Sequence, residues 1–455
     1  MMTFTAALVA WLIAFGFACA GDIMLRRQSE NLRDWHLSFL VGLAGGATLL
    51  FPLSLLLPGH ALIVLTLAVA AAALFRSPVI AARIRKGIEF QSLFRRPELK
   101  DPVALLFLAV ILFAAVQFMV QNTRLSFLWD GYQIWATKAM ILHDKGGLSR
   151  DFLTPGMRDR LAEYPPVVPL YGAMIAALRG EFEWNATKPL FFVFYVSMLL
   201  STFQAARRFV SFRLALAAVA LLALLPAVST RPNVGGYADM PQAALLAGCL
   251  SALLCRGAQP LARHPVAIAW TIAGVLLVKN EGIVLSVAVC AAIAGFWLSQ
   301  GWNAFIERSR CYWSGLAIVI AALLLRRYYL AWIDARDPTY GPFDSAHLEA
   351  AVTRLLMVVR LCSSMMLDFS EWALFWPAFF LSVLIILITG CRLLKWLGLG
   401  TLAVICAYTA IFLFTNWDVR LHIEQSYSRL LVHIAPAASI LLVAAYSLVW
   451  KRLRE

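Results

Sequence analysis

The chain has 455 residues, of which 62% are hydrophobic and only 14% are charged, and its mean hydropathy is +0.78. This composition excludes a water-soluble globular protein and indicates a multi-pass membrane protein. A net charge of +14 would suggest a nucleic-acid partner in a soluble chain, but the Lys and Arg residues concentrate in alternate short loops, as membrane topology requires. Nucleic-acid binding is therefore excluded.

The apolar runs predict an all-α polytopic membrane protein with about 13 transmembrane helices, within a range of roughly 11 to 14. Residues 1–100 are predicted to form N-terminal transmembrane helices with a basic cytoplasmic loop. Residues 101–455 are predicted to form a second transmembrane unit with external loops at 121–188, 331–371 and 416–429. The runs lie at 4–21, 38–57, 61–75, 102–120, 189–206, 212–228, 240–255, 266–278, 283–299, 312–330, 373–390, 396–415 and 430–449.

The short apolar run at 167–178 decides the sidedness of everything that follows it. It is shorter than the roughly 20 residues needed to cross a bilayer, so we expect a re-entrant or juxtamembrane helix inside the large first external loop. With this run left out of the count, the basic loops all fall on one side, which the positive-inside rule makes cytoplasmic. Five polar segments then share the outer side, although this sorting depends on the choice made for 167–178.

The first polar segment, FLWDGYQIWATKAMILHDKGG at 127–147, mixes aromatic and charged residues shortly after an apolar run ends. Asp130 is expected at the boundary between water and lipid. Tyr132 to Lys138 predict the first turns of an interfacial helix, with the rings of Tyr132 and Trp135 at head-group depth. A solvated loop with an aromatic belt is the alternative interpretation.

Two further segments place charges beside short apolar runs. In GGYADMP at 235–241 the glycines permit a tight turn, and Asp239 suits a helix N-terminus, so a structural cap is one reading. The KNEG turn at 279–282 follows a segment of about fourteen residues that rises roughly 20 Å, short of a hydrocarbon core of roughly 30 Å. Lys279 and Glu281 are therefore expected below the surface, where charge needs a partner such as an anionic head group. An ion-paired hairpin turn is the alternative.

The last polar segment leads into the final apolar run. Arg429 and His433 are one helical turn apart and are predicted to face the same surface. Arg can hold a phosphate through two parallel hydrogen bonds, which suits a pyrophosphate or phosphodiester partner. A single snorkelling Arg is the alternative.

Taken together, these segments resemble the bacterial membrane glycosyltransferases of the C-type fold, such as protein O-mannosyltransferases and the aminoarabinose transferases of lipid A. The resemblance covers residues 102–449. It implies inverting transfer of a sugar from a polyprenyl-phosphate donor to a lipid, polysaccharide or protein acceptor. It also implies a site on the periplasmic face of the bacterial inner membrane. The residues that carry the resemblance are Asp130, YPP at 164–166, GGYADMP at 235–241, KNEG at 279–282 and SRLLVHIAP at 428–436.

The same resemblance implies roles for single residues. Asp130 would be the general base on the acceptor hydroxyl, and Asp239 a second acidic position. Many relatives carry two acids close together in the first loop, whereas the next acid after Asp130 is Asp144, so we expect transfer without a bridging metal or other cofactor. Donor-phosphate binding is assigned to Lys279, Arg429 and His433, and substrate binding to Tyr132, Trp135, Lys138, Tyr164, Tyr237 and Glu281.

Two other classes of protein remain as alternatives. A transporter or flippase for lipid-linked sugars usually carries ionisable residues near the bilayer midplane, and the predicted spans have few, the nearest being His433 and the span-end pair Arg326 and Arg327. A noncatalytic scaffold would leave the outer polar segments without a role. Within the predicted loop 331–371, apolar spacing predicts an amphipathic helix at 347–366 that would cap the donor cavity.

Overall fold

A computed structural model describes residues 4–25, 35–87, 100–149, 164–229, 233, 235–254, 265–310, 312–333 and 345–455. This part of the chain is helical and contains no β-strand, which confirms the all-α prediction. Within it, eight helices are long and apolar enough to cross a membrane, and six apolar helices are shorter. The chain is a polytopic membrane protein, and the total of about 13 spans stays a prediction.

The N-terminal group consists of α1 (Phe4–Met24), α2 (Trp35–Leu56) and α3 (Ala61–Gly87). Helix α1 packs against both of the others. Asp22 on α1 and Arg76 on α3 form an ion pair at 2.8 Å with both side chains largely buried. Charges inside apolar helices are costly unless paired, so this ion pair fixes how α1 and α3 meet.

The predicted first external loop is largely helical. Helix α4 (Pro102–Arg124) begins at a proline and is capped by Asp101, whose carboxylate accepts a hydrogen bond from the Val103 amide at 2.9 Å. A π-helical turn at Gly131–Ala136 continues into α5 (Thr137–Lys145), which confirms the predicted helix after Asp130. Helix α6 (Val167–Arg179) has 13 residues and is buried among α1, α2, α3 and α5, as a short helix inside the protein. Residues 150–163 of the predicted loop lie outside the described residues.

The middle of the chain forms five helices: α7 (Lys188–Ala206), α8 (Phe212–Leu224), α9 (Asp239–Leu254), α10 (Pro265–Leu276) and α11 (Gly282–Leu298). All 16 residues of α9 are buried. This helix packs against α7, α10 and a long C-terminal helix described below.

The C-terminal third completes the bundle. The amphipathic helix predicted at 347–366 is confirmed as α14 (Ser345–Met366), although its position as a cap over a donor cavity stays a prediction. The helices are α12 (Trp302–Arg310), α13 (Trp313–Trp332), α14 (Ser345–Met366), α15 (Phe375–Thr389), α16 (Arg392–Ile411) and α17 (Val419–Arg452).

The interpretation of 416–429 as a loop is wrong for most of its length. Helix α17 begins at Val419, where the Asp418 carboxylate accepts a hydrogen bond from the Leu421 amide at 2.8 Å. Its first turns bury Val419, Ile423 and Tyr427 at helical spacing while polar residues lie between them. A search for continuous apolar runs misses such an amphipathic beginning.

Candidate functional site

Asp239, the first residue of α9, is fully buried and accepts hydrogen bonds from three side chains. Its Oδ1 atom accepts from Lys279 Nζ at 2.8 Å and lies 3.0 Å from His433 Nε2. Its Oδ2 atom accepts from Arg429 Nε at 3.0 Å. The predicted position at a helix N-terminus is therefore confirmed, but the carboxylate joins the KNEG turn to α17 and does more than cap a helix.

Arg429 links the buried carboxylate of Asp239 to the accessible carboxylate of Asp130. Its Nη2 atom lies 2.8 Å from Asp130 Oδ2, and its guanidinium lies 4.2 Å from the centre of the Tyr237 ring. The side chains of Arg429 and Asp130 are 20% and 23% exposed, whereas that of Asp239 is 0% exposed. We call Asp130, Asp239, Lys279, Arg429 and His433 the charged cluster. An incoming ligand can reach Asp130 and Arg429 first.

The KNEG turn carries the second cation of the charged cluster. Lys279 is buried and also lies 3.6 Å from Glu281. Burial by itself disfavours the ammonium, but the carboxylates of Asp239 and Glu281 raise the pKa of Lys279 above its usual value, so the residue stays charged at neutral pH. The partner that the buried Lys requires is thus supplied by the protein's own acids.

Arg326 anchors this turn from α13. Its Nη1 atom donates to the Leu276 carbonyl at 3.2 Å, and its Nη2 atom donates to Oδ1 of Asn280. The Arg326 residue is buried, whereas the neighbouring Arg327 is exposed. The sequence alone places both residues at the end of a predicted span. Only the neighbouring helix reveals that Arg326 holds the segment that carries Lys279.

Two glycines let the segments before Asp130 and Asp239 touch. The Leu128 amide donates to the Gly235 carbonyl at 3.0 Å, and a methyl group at Gly131 would overlap that same carbonyl oxygen. Gly236 has a φ of 89°, which favours glycine, and the Phe127 ring occupies the space that a side chain there would need. This close approach lets Asp130 and Asp239 contact one guanidinium, through its Nη2 and Nε atoms respectively.

His433 connects the charged cluster to α16. Its Nδ1 atom lies 2.9 Å from the Tyr408 hydroxyl, and its Nε2 atom faces Asp239. An imidazole protonated at Nε2 satisfies both contacts, since it donates to the carboxylate and accepts from the hydroxyl. His433 is fully buried, so this position suits orienting Asp239 better than touching a ligand.

The remaining predicted site residues fall into two places. Tyr237 lies beneath Arg429, and burial followed by the nearby Asp130 carboxylate raises the pKa of its hydroxyl, which therefore stays protonated. Tyr132 is 43% exposed, and its ring centre lies 4.6 Å from that of Trp184. The part of both tyrosines in substrate binding stays a prediction.

Trp135, Lys138 and Tyr164 form a second cluster of their own. The two rings stack with centres 5.4 Å apart, and Lys138 Nζ donates to the Tyr164 carbonyl at 3.1 Å. The π-helical turn directs the Trp135 ring into the protein, where it is 3% exposed, so the ring contacts protein rather than lipid, and its depth in the membrane stays a prediction. These contacts tie α5 to the start of α6, while a role in substrate binding stays a prediction.

The carboxylates of Asp130 and Asp239 share one cation of the protein. In the parts of the chain that the structure describes, no group of three or more His, Cys, Asp and Glu side chains could hold a metal ion. Asp130 and Asp239 instead face the same guanidinium through their Oδ2 atoms. The arrangement is that of two acids bridged by a cation of the protein itself.

An apolar groove that the sequence did not reveal begins beside the charged cluster. It lies between α9, α11, α16 and α17 and has a volume of about 60 Å³. Ile434 directly follows His433, and Leu285 lies one turn beyond Glu281, whereas Trp396 and Val404 form the wall contributed by α16. The groove offers hydrocarbon contacts next to the cations.

Neither a protein-family model nor a curated protein sequence matches the chain. Among solved structures it is similar to ArnT from Cupriavidus metallidurans in the apo state, with 18% sequence identity, a TM-score of 0.50 and coverage of 76% of this chain and 61% of that one. It is also similar to an oligosaccharyltransferase from Archaeoglobus fulgidus in complex with zinc and sulfate, with 14% identity, a TM-score of 0.45 and coverage of 76% and 49%. The chain thus spans less than two thirds of either protein. ArnT is a lipid A aminoarabinose transferase of the C-type fold. At this level of identity the likeness shows a shared fold alone: the chain has the fold of ArnT, which agrees with the C-type fold that the sequence predicted.

Proposed function

We propose that this chain is an inverting glycosyltransferase that moves a sugar from a polyprenyl-phosphate donor to a lipid, polysaccharide or protein acceptor of the cell envelope, on the periplasmic face of the bacterial inner membrane. The observation that carries the proposal is Arg429, which joins the accessible Asp130 to the buried Asp239 beside an apolar groove. Base, phosphate-binding cation and lipid contacts would then lie together, and no cofactor is invoked.

The position of the cations supports a lipid-phosphate donor. Arg429 is partly exposed and can offer parallel N–H groups to a phosphate, and the buried Lys279 adds positive charge behind it. The apolar groove beside them would receive the first part of the polyprenyl chain. A departing lipid phosphate needs stabilisation of its negative charge more than it needs a general acid, and preorganised cations supply this.

The charge balance of the site suggests how donor and base are coupled. Among the described residues of the site, three carboxylates, those of Asp130, Asp239 and Glu281, face two cations, Lys279 and Arg429. A phosphate would therefore bind best if it replaced Asp130 as the partner of Arg429 Nη2. The exchange would free the Asp130 carboxylate at the moment when the donor is in place.

The freed Asp130 carboxylate then acts as the general base. The acceptor oxygen attacks the anomeric carbon from the side opposite the phosphate, its proton passes to Asp130, and the bond between the anomeric carbon and the phosphate oxygen breaks. The electron pair leaves with the lipid phosphate, which Arg429 holds and which the positive charge of Lys279 behind it stabilises. Attack from the opposite side inverts the anomeric carbon.

Asp239 and His433 act as positioning residues in this scheme. Both are fully buried, so neither reaches an acceptor directly. Asp239 holds Lys279 and Arg429 at a fixed separation, and His433 orients Asp239 through the hydrogen bond to Tyr408. The acid assigned to a second catalytic position would thus set the geometry of the cations.

The test separates donor binding from turnover. Asp130→Asn should lower transfer by about 100- to 10,000-fold, the usual contribution of a general base. Binding of undecaprenyl phosphate, used as the probe, should be retained or tightened, because Arg429 no longer has to leave a carboxylate. Arg429→Gln should weaken this binding by about tenfold or more, as expected for loss of a charge-assisted hydrogen bond. Asp144→Asn, which changes the next acid of the same tract on an exposed side chain, is the matched control.

The measurements are binding to the purified protein and mass spectrometry of lipid-linked sugars and envelope glycans in a deletion strain. The proposal is supported if the deletion strain loses one envelope sugar and accumulates its polyprenyl-phosphate donor. The wild type and Asp144→Asn should restore the sugar, whereas Asp130→Asn should not. Full complementation by Asp130→Asn rejects the carboxylate as the base, and a transporter or scaffold then becomes the better interpretation.

A further inference from the structure

A large cavity lies at the end of α17 that is remote from the charged cluster. Its volume is about 1000 Å³, and it is bounded by the start of α4, the turn between α7 and α8, and the end of α17. The stretch of α17 from Arg429 to Lys451 rises roughly 33 Å, which matches a hydrocarbon core of roughly 30 Å. The cavity therefore lies at the opposite membrane interface from the candidate site.

The lining of this cavity is strongly basic. Its cations are Arg208, Arg213, Lys451 and Arg454, and its described lining includes no acidic side chain. Asp101, outside the lining, lies 3.7 Å from Arg213 and offsets one of these charges. We call this cavity the basic pocket. Cations brought together from three helix ends repel one another, so an anion between them is stabilised.

The other wall of the basic pocket is apolar and aromatic. Phe107 and Leu442 face it from α4 and α17. The rings of Tyr446 and Trp450 stack with centres 6.2 Å apart, and the Arg454 guanidinium lies 4.8 Å from the centre of the Trp450 ring. Exposed Trp and Tyr side chains followed by Lys and Arg are typical of the level where lipid head groups meet acyl chains.

We propose that the basic pocket binds an anionic phospholipid of the adjacent leaflet. Its phosphate would lie between Arg208 and Arg454, and its acyl chains would follow the apolar wall at Phe107 and Leu442. Basic pockets between transmembrane helices bind anionic head groups in this manner. The volume is at the upper end of the roughly 300–1,000 Å³ found for ligand pockets, which suits a branched amphiphile better than a free phosphate ion. The proposal does not depend on the reaction at the charged cluster.

The test compares lipids of different charge on the purified full-length protein. Native mass spectrometry after incubation with equal amounts of phosphatidylglycerol and phosphatidylcholine should show at least tenfold more phosphatidylglycerol retained. The double substitution Arg208→Gln and Arg454→Gln should reduce phosphatidylglycerol to the level of phosphatidylcholine. A control that removes two cations elsewhere, Arg310→Gln with Arg327→Gln, should leave the preference unchanged.

A second double variant separates the effect of charge from an effect on folding. Arg208→Lys with Arg454→Lys keeps both charges and should keep most of the preference, while loss of the preference in this variant would count against the proposal. Equal retention of the two lipids by the wild type, or full retention by the double Gln variant, overturns it. If inorganic phosphate stabilises the protein against heat as much as phosphatidylglycerol does, the basic pocket binds a free anion and the proposal of a bound phospholipid is overturned.

Discussion

At the residue scale, Asp130 and Asp239 show how surroundings divide one residue type between two tasks. Asp239 is buried among Lys279, Arg429 and His433, and removing one member of a buried charge pair typically costs about 3–5 kcal/mol because the other is left unpaired. Substitution of Asp239 would therefore report on folding as much as on activity. Asp130 is accessible, and its substitution is the cleaner test of chemistry.

Arg326 offers a prediction at the same scale, because it holds the KNEG turn without belonging to the charged cluster. Arg326→Gln should raise the KM for the lipid donor by about tenfold, as loss of a hydrogen bond to a charged group implies, and should change kcat much less. The reason is that Lys279 would lose its fixed position while the base Asp130 stays in place. Steady-state kinetics with purified protein measure both constants.

Arg327→Gln is the matched control for this substitution, since the adjacent side chain is exposed. It should leave both kinetic constants near the wild-type values. Arg326→Lys, which keeps one donor and the charge, should recover part of the loss. Equal effects of Arg326→Gln and Arg327→Gln, or a fall in kcat alone, would contradict a positioning role.

Sequence reasoning identified all five residues of the charged cluster but could not pair them. Asp239 and Arg429 are 190 residues apart, and their hydrogen bond depends on α9 packing against α17. The neighbours of a residue in the sequence predict its local structure, as the glycines before Asp239 predict a turn followed by a helix. The role of Arg326 could not be predicted, because its partners, Leu276 and Asn280, lie on another segment.

At the element scale, each of the predicted apolar runs coincides with a helix, because a hydrophobic stretch in a membrane has to satisfy its own backbone groups. The prediction of a loop at 416–429 fails because α17 begins there with an amphipathic segment. The apolar groove could not be foreseen for a different reason. Its walls come from α9, α11, α16 and α17, and the space between four helices is not encoded in any one of them.

The apolar groove leads to a prediction about α11. Val289 lines the groove, whereas Val287 is 62% exposed on the outer surface of the same helix. Val289→Trp should fill the narrow groove and raise the KM for a long-chain polyprenyl-phosphate donor by about tenfold, because burial of several CH₂ groups at roughly 0.8 kcal/mol each would be lost. Transfer assays with donors of two chain lengths provide the measurement.

Val287→Trp introduces the same side chain two residues away and should leave the kinetics unchanged. A donor with a short chain, which makes fewer contacts in the groove, should be affected less by Val289→Trp than the long-chain donor. If both chain lengths suffer equally, the groove does not hold the chain and the substitution acts through helix packing.

At the scale of the whole molecule, charge is divided between the two ends of α17. The charged cluster includes acids and cations near one end, whereas the basic pocket at the other end contains cations in its described lining. A helix of 34 residues is roughly 50 Å long and exceeds a hydrocarbon core of roughly 30 Å, so its ends lie in different aqueous compartments. The positive-inside rule then predicts that the basic pocket faces the cytoplasm.

This sidedness can be measured with single cysteines at the two ends of α17. In a variant that lacks its own cysteines, Trp417→Cys just before the start of α17 and Leu453→Cys just after its end are suitable, because these positions are 48% and 76% exposed. A thiol reagent that does not cross the inner membrane should label Trp417→Cys in intact cells. It should label Leu453→Cys only after that membrane is broken, and disrupted cells in which both sites react provide the control.

Labelling of both sites from outside would contradict α17 as a span. The reverse order would place the charged cluster in the cytoplasm, where nucleotide-activated sugars are the available donors, and the polyprenyl-phosphate donor would then lose its main support.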